Sequence, residues 1–259
     1  MLFREKAYRN LKGLKIARNT LAIHQLLFAD DLLIFGKATH KEATSIQSCL
    51  KKYCLWSGQS INNGKSSIRF SSNIHPSTAT LILDILPFSP NHTKSIYLGL
   101  PILFGNSKTA IFQNIIEKVK SKVKGWRAKS LSQVGRLVLI KSVATAIPSY
   151  AMSTFLLPKS ICSQLDRVFK NFWWGFPTLN TLNLSLKSWN SICTPKALGG
   201  LGIRRMKDVN LALISKLGWK LLTGSDSLWA SQLTGKYLQT DSFLSPSSHS
   251  VTSWLWKGI

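Results

Sequence analysis

Leu26-Leu27-Phe28-Ala29-Asp30-Asp31-Leu32-Leu33-Ile34-Phe35 is the stretch on which the reading of the fold turns. Apolar runs of strand length flank two adjacent carboxylates, which predicts a β-hairpin over 21–28 and 32–35 with Asp30-Asp31 at its tip. Adjacent carboxylates repel each other, and burying either one unpaired is costly. Asp is a common turn residue, so a solvated tip is one reading. A divalent cation is the other, because Mg²⁺ takes oxygen ligands, often one or two carboxylates plus substrate phosphates. Short hairpin turns favour a Gly-bearing pair, and no Gly lies between Gly13 and Gly36. Asp30 and Asp31 are also the only adjacent acids among ten acidic residues, set against 34 basic ones. The residues alone leave both readings standing.

The formal net charge of +24 points to a polyanionic partner, above all nucleic acid. Each Lys or Arg placed on a phosphate releases counterions, so binding should fall steeply with salt. A membrane surface is the rival polyanion. No run of about 18 uninterrupted apolar residues is present, so no spanning helix and no membrane partner is expected. The start of the chain is charged (Arg4, Glu5, Lys6, Arg9, Lys12) and shows no secretory signal. A length of 259 residues allows one large domain or two smaller ones, and 44% hydrophobic content is enough for a core. Cys49, Cys54, Cys162 and Cys193 form no C-x-x-C pair and no zinc spacing. They read as small thiols of a reducing compartment, intracellular, with nucleus and cytoplasm both open.

Beyond the hairpin, Thr39 and Glu42 match a capping box, and Ala43, Ile46, Leu50 and Tyr53 give the helix an inward face. Gly58 is placed to end that helix. Asn63-Gly64 signals a turn, residues 67–71 a short strand, and residues 80–86 fit helix or strand equally. Lys65 is either a solvated turn charge or a cation facing phosphate. Tyr97-Leu98-Gly99-Leu100-Pro101 reads as a strand closed by Gly and Pro. The period then changes to a long helix over 107–129, with Ile111, Ile115, Val119 and Val123 on its apolar stripe beside Phe112, Ile116 and Trp126. Lys120, Lys124 and Arg127 flank the stripe on one side, and Lys118, Lys122 and Lys129 on the other. These charges are either a solvated face or a phosphate-tracking surface. Residues 135–146 continue with Arg136 and Lys141 until Pro148 breaks the run. An amphipathic helix over 161–174 ends in Phe172-Trp173-Trp174-Gly175, a base-stacking platform or a helix contact. Gly199-Gly200-Leu201-Gly202 lacks the Lys-Ser/Thr ending of a phosphate loop and reads as a turn. A further helix is expected over 209–222, and Ser-rich 242–250 reads as a surface loop.

Phe28-Ala29-Asp30-Asp31 resembles the aromatic-x-Asp-Asp signature of reverse transcriptases. Gln59-Ser60-Ile61-Asn62 with Lys65-Ser66 is similar to the segment after the catalytic hairpin in non-LTR (LINE-type) retrotransposon polymerases, and Tyr97-Leu98-Gly99-Leu100-Pro101 to their primer grip. Gly125-Trp126, Leu131-Ser132, Gly135-Arg136, Lys141-Ser142-Val143 and Ile147-Pro148-Ser149-Tyr150 resemble the downstream thumb-like region of plant members, and Phe172-Trp173-Trp174-Gly175, Trp189 and Gly199-Gly200-Leu201-Gly202 fit as well. The resemblance runs from about Gly13 to Leu238. It implies an α+β chain: a partial right-hand polymerase palm (antiparallel sheet plus helix) over 1–104, a helical thumb-like region over 105–175 and a truncated helical extension over 176–259. It also implies RNA-directed DNA synthesis with two Mg²⁺ ions, an RNA template, a DNA primer and deoxynucleoside triphosphates. Asp30 and Asp31 match the catalytic metal-binding pair; Phe28 and Lys65 match nucleotide-binding positions. Tyr97, Leu98 and Gly99 match the primer grip. Lys118, Lys120, Lys122, Lys124, Arg127 and Arg136 are the expected nucleic-acid contacts.

The family's third carboxylate lies on a strand upstream of the Asp-Asp hairpin, and only Glu5 precedes Asp30 here. The chain is therefore expected to be a C-terminal fragment without fingers, endonuclease or ribonuclease H domain, and inactive or nearly so alone. Two alternatives stand beside the enzyme reading. One is a non-catalytic basic nucleic-acid-binding remnant; the other is a maturase-like RNA-binding factor. Oligomeric state is open.

Overall fold

The computed structural model describes residues 11–90, 96–102, 107–126, 130–175, 185–224, 226–238, 243–244 and 252–259. Its first elements are β1 (Gln25–Phe28), β2 (Asp31–Ile34), α1 (His40–Ser57), β3 (Ser67–Ile68), α2 (Pro76–Ile85), β4 (Ser89–Pro90), β5 (Ile96–Tyr97) and β6 (Leu100–Pro101). Helices follow: α3 (Lys108–Gly125), α4 (Gln133–Leu139), α5 (Ser149–Thr154), α6 (Lys159–Trp174), α7 (Trp189–Cys193), α8 (Met206–Leu222), α9 (Leu228–Tyr237) and α10 (Trp254–Gly258). The fold class is α+β. Two compact units form, Met1–Leu103 with Asp226–Ser247, and Phe104–Ser225 with Ser248–Ile259.

In the first unit the strands form three separate two-stranded ladders rather than one palm-like sheet. β1 and β2 pair antiparallel, β3 and β4 pair parallel, and β5 and β6 pair antiparallel. The strand expected over 67–71 shrinks to Ser67–Ile68 because its partner ends at Pro90, which has no N–H to continue a ladder. The ambiguous segment at 80–86 is helical, with Pro76 in the first turn of α2, where a missing N–H costs nothing. The single strand expected at Tyr97–Pro101 is instead a hairpin, turned at Leu98 (φ 52°) and Gly99 (φ 79°).

Thr39 caps α1 by accepting from the Glu42 N–H at 3.4 Å. Glu42 does not reach back to Thr39 as a full capping box would. Its carboxylate, only 4% exposed, accepts from Lys37 N–H at 2.8 Å and Lys12 N–H at 3.4 Å. The helix start is thereby tied to the strand exit and to the segment before the hairpin. Ala43 packs with Ile82 and Leu86, and Ile46, Ile68 and Phe88 close over them. Burying such side chains stabilises by roughly 1.5–3 kcal/mol each. Helix α9 also packs in this unit: buried Gln232 donates to Leu21 C=O at 2.8 Å, and Gly235 lies against Asn19 and Thr20. A division in chain order, with 176–259 as one extension, does not anticipate that grouping.

The second unit is helical. Phe112, Ile116 and Val119 of α3 are fully buried, and α3 packs on α6, whose Ile161, Leu165 and Phe169 are fully buried as well. The expected stripe is therefore the core face, and α3 stops at Gly125 with Trp126 as its C-cap. Residues 135–146 are not one helix: α4 widens at Ile140–Ala144 into a π-helical turn, with Thr145 N–H bonded to Ile140 C=O. Pro148 ends the run, and α5 begins at the next residue. Trp254 of α10 stacks on Phe155, with centroids 5.3 Å apart, and meets Phe112 edge-on at 5.3 Å. Asn210 of α8 is 1% exposed and fully engaged. Its Oδ1 accepts from Leu157 N–H at 2.8 Å, and its Nδ2 donates to Met152 C=O and Phe155 C=O at 2.8 and 2.9 Å.

Candidate metal and nucleic-acid sites

The register of the first hairpin places Phe28 opposite Asp31. The two-residue turn is therefore Ala29-Asp30, one residue earlier than the expected Asp30-Asp31 tip. Ala29 has φ 50° and Asp30 does not have a positive φ, the pattern of a type II′ turn. Such a turn matches the twist of the flanking strands, which is why the chain adopts it without a Gly. Asp30 thus sits in the turn and Asp31 opens β2, and both are exposed. Among the described residues, neither carboxylate has an ion-pair or hydrogen-bond partner. The tip is also apolar: Leu27 is 61% and Phe28 57% exposed.

Lys65 lies in an exposed turn, its N–H bonded to Asn62 C=O and Asn62 Oδ1. Tyr97, Leu98 and Gly99 form the tip of the β5–β6 hairpin, a separate ladder from that of Asp30 and Asp31. Three expected site segments are thus formed, on three different pieces of backbone. Among the described residues, no group of three His, Cys, Asp or Glu side chains could hold a metal ion. Asp30 and Asp31 are exposed oxygen donors of the kind that Mg²⁺ takes together with water and phosphate oxygens.

Of the basic residues expected to meet nucleic acid, the five that are described, Lys118, Lys120, Lys122, Lys124 and Arg136, do not share one surface. Lys118 and Lys122 line a cavity of about 560 Å³ with Glu117, Ser121 and Trp126. Trp126 packs at 5.4 Å on Phe172 behind it. Lys120 and Lys124 project from the other flank of α3, as the helical period requires. Lys120 donates to Glu117 at 2.9 Å, and Glu117 also accepts from Gln113. Those two hydrogen bonds, the Lys120 one first, hold the Glu117 carboxyl below its ordinary pKa. Arg136 points elsewhere: its guanidinium donates to Trp173 C=O at 3.1 Å and packs against Gly175, closing the end of α6. Arg127 lies outside the described residues.

The remaining motifs have structural roles. Of the two adjacent Trp residues, Trp173 is buried with Phe172 in the helix packing and Trp174 is half-buried. In Gly199-Gly200-Leu201-Gly202 each backbone N–H bonds an internal carbonyl, from Lys196, Pro195, Ile192 and Thr194 respectively, so none is left to cradle phosphate. A Cβ on Gly200 would collide with the Thr194 carbonyl oxygen, which is why Gly is required there. The four cysteines are free thiols. Burial, reinforced by the Asp166 charge, pushes Cys162 up to about 11 and Cys193 up to about 12, which suppresses thiolate chemistry.

Asp166 carried no sequence signal. Its Oδ1 accepts from Met206 N–H at 3.1 Å, capping α8 from a different helix. Burial pushes its carboxyl up to about 6, against the lowering effects of the Met206 N–H, the Trp189 indole and Arg205. The Trp189 indole N–H faces this carboxylate without reaching full hydrogen-bond geometry.

No family model matches the chain. A protein of Arabidopsis thaliana named "Putative ribonuclease H protein" is 44% identical over 138 residues, which are 53% of this chain and 22% of that protein. The chain thus spans about a fifth of that relative's length. An uncharacterized mitochondrial protein of Arabidopsis thaliana is 31% identical over 115 residues, 44% of this chain and 74% of that protein. The chain belongs to the family of this mitochondrial protein. Among the described residues, no helix is long and apolar enough to cross a membrane.

Proposed function

We propose that this chain is a retroelement-derived part of a LINE-type reverse transcriptase that holds a primer–template and presents Asp30 and Asp31 to Mg²⁺ and a deoxynucleoside triphosphate. The carrying observation is that two adjacent exposed carboxylates have no partner among the described residues of a +24 chain. A relative named for ribonuclease H and one from a mitochondrion fit a retroelement origin. Asp30 and Asp31 would hold the ion and Lys65 would face the triphosphate. Tyr97, Leu98 and Gly99 would seat the primer 3′ end. Mg²⁺, when bound, would neutralise phosphate charge and orient the reacting oxygens. The cavity at Lys118 and Lys122 offers phosphate contacts beside an aromatic face, Trp126.

Among the described residues two carboxylates rather than three stand at the hairpin, so extension by this chain alone is expected to be absent or very slow. That gives weight to a second reading, a binding remnant without catalysis. The test is titration of a labelled RNA–DNA primer–template, followed by Mg²⁺-dependent extension with the parent and Asp31→Asn. Tight, steeply salt-dependent binding with little or no extension is the expected result. Absence of binding at low salt overturns both readings. Fast extension that Asp31→Asn abolishes overturns the remnant reading and shows that the acid pair completes a working site.

A further inference from the structure

The second cavity of the helical unit, about 420 Å³, lies between the exposed face of α6 and the start of α8. Its lining includes Lys159, Arg167, Lys170, Arg205 and Lys207, with Asp166 as the acid among them. Lys159, Arg167 and Lys170 are spaced by eight and three residues, so they fall on one helix face. That face is opposite the buried stripe of Ile161, Leu165 and Val168. From Lys159 to Lys170 the helix rises by roughly 16 Å, at about 1.5 Å per residue, a reach that covers several phosphates of one strand. Arg205 and Lys207 bring further cations from the first residues of α8, whose N-terminal dipole adds positive potential.

The local acids offset only part of this charge. Asp166 is committed to Met206 N–H, and Asp208 is paired with Arg205 at 3.0 Å. Among the described residues, Lys159, Lys170 and Lys207 have no ion pair or hydrogen bond through their ammonium groups. Like charges crowded on a concave surface repel each other unless an anion lies between them. We infer that this groove is a second backbone-binding site for nucleic acid, in which Lys159, Lys170 and Lys207 contact the phosphates of a single strand. The inference rests on the nucleic-acid reading above and assigns it residues outside the expected set on α3.

The test uses the full chain and a fluorescein-labelled 20-mer of oligouridylate, titrated between low and physiological salt. Three variants accompany the parent: K159A/K170A/K207A, the charge-keeping K159R/K170R/K207R, and K118A/K122A at the other cavity. The alanine triple should bind about tenfold or more weakly, and its log–log salt slope should shrink by about 2, from three lost contacts at about 0.7 each. The arginine triple should retain parent affinity and slope, and thermal melting of all variants controls for folding. An alanine triple with parent affinity and slope, while K118A/K122A weakens binding, overturns the groove and leaves the nucleic-acid reading intact. A parent chain that binds no RNA overturns the nucleic-acid reading, and the groove falls with it.

Discussion

Ala29 stands at the first central position of the Asp30 hairpin with φ 50°, where a Cβ is crowded and Gly is the favoured residue. Strain of this kind persists when something else fixes the turn, and it clusters at functional sites. Ala29→Gly should therefore raise stability, by about 0.5–1 kcal/mol after the extra entropy of an unfolded Gly is counted, seen as a higher melting temperature. No change, or a fall, would mean that the turn is not strained. Asn210 is the opposite case, a residue whose every polar atom is engaged in the interior. Asn210→Ala should destabilise by roughly 3 kcal/mol or more, because it orphans Leu157 N–H and two carbonyls at once. Denaturant titration reads this directly. The hairpin was legible because apolar runs bracketed two acids. Its one-residue shift was not, because turn type depends on backbone twist more than on the side chains at the tip. Asn210 gave no signal, since a buried Asn is defined by which carbonyls tertiary packing brings to it.

Among elements, the contact of α6 with the start of α8 has a chemistry that changes with pH. Folding pushes the Asp166 carboxyl from its ordinary value up to about 6, chiefly through burial. The folded chain therefore binds the proton more tightly than the unfolded chain. The contribution of Asp166 to stability is greatest below about pH 4 and declines as pH rises toward 6. For a half-buried group the loss is on the order of 1–2 kcal/mol after solvent screening. Asp166→Asn, which can still accept from Met206 N–H, should flatten the stability difference between pH 4 and pH 6. An unchanged pH profile would remove Asp166 from this account. Helix α6 itself was readable from its period, as was α3. The acid cap was not, because the N–H that Asp166 accepts from lies 40 residues away. Strands fared worse than helices: two-residue ladders such as β3–β4 have no side-chain period to read, and Pro90 limits their length.

At the scale of the molecule, charge was the most legible property and spatial grouping the least. A balance of 34 basic to ten acidic residues raises the expectation of a polyanionic partner before any fold is known. That α9 packs with residues 19–21 follows from Gln232 and Gly235 finding backbone there, which no local pattern encodes. Leu27 and Phe28 beside the two carboxylates leave an apolar, exposed strand tip, a surface suited to pairing and prone to aggregation when unpartnered. The central claim is that Asp30 and Asp31 form a cation site, and it can be measured without any polymerase activity. Mn²⁺, as a paramagnetic stand-in for Mg²⁺, is titrated into the chain with a deoxynucleoside triphosphate present, and free ion is counted by electron paramagnetic resonance. The parent should bind Mn²⁺ beyond what the nucleotide binds alone, and D30N/D31N should lose that increment. Equal binding by parent and double variant, both folded, would contradict the account and return the Asp pair to a solvated turn.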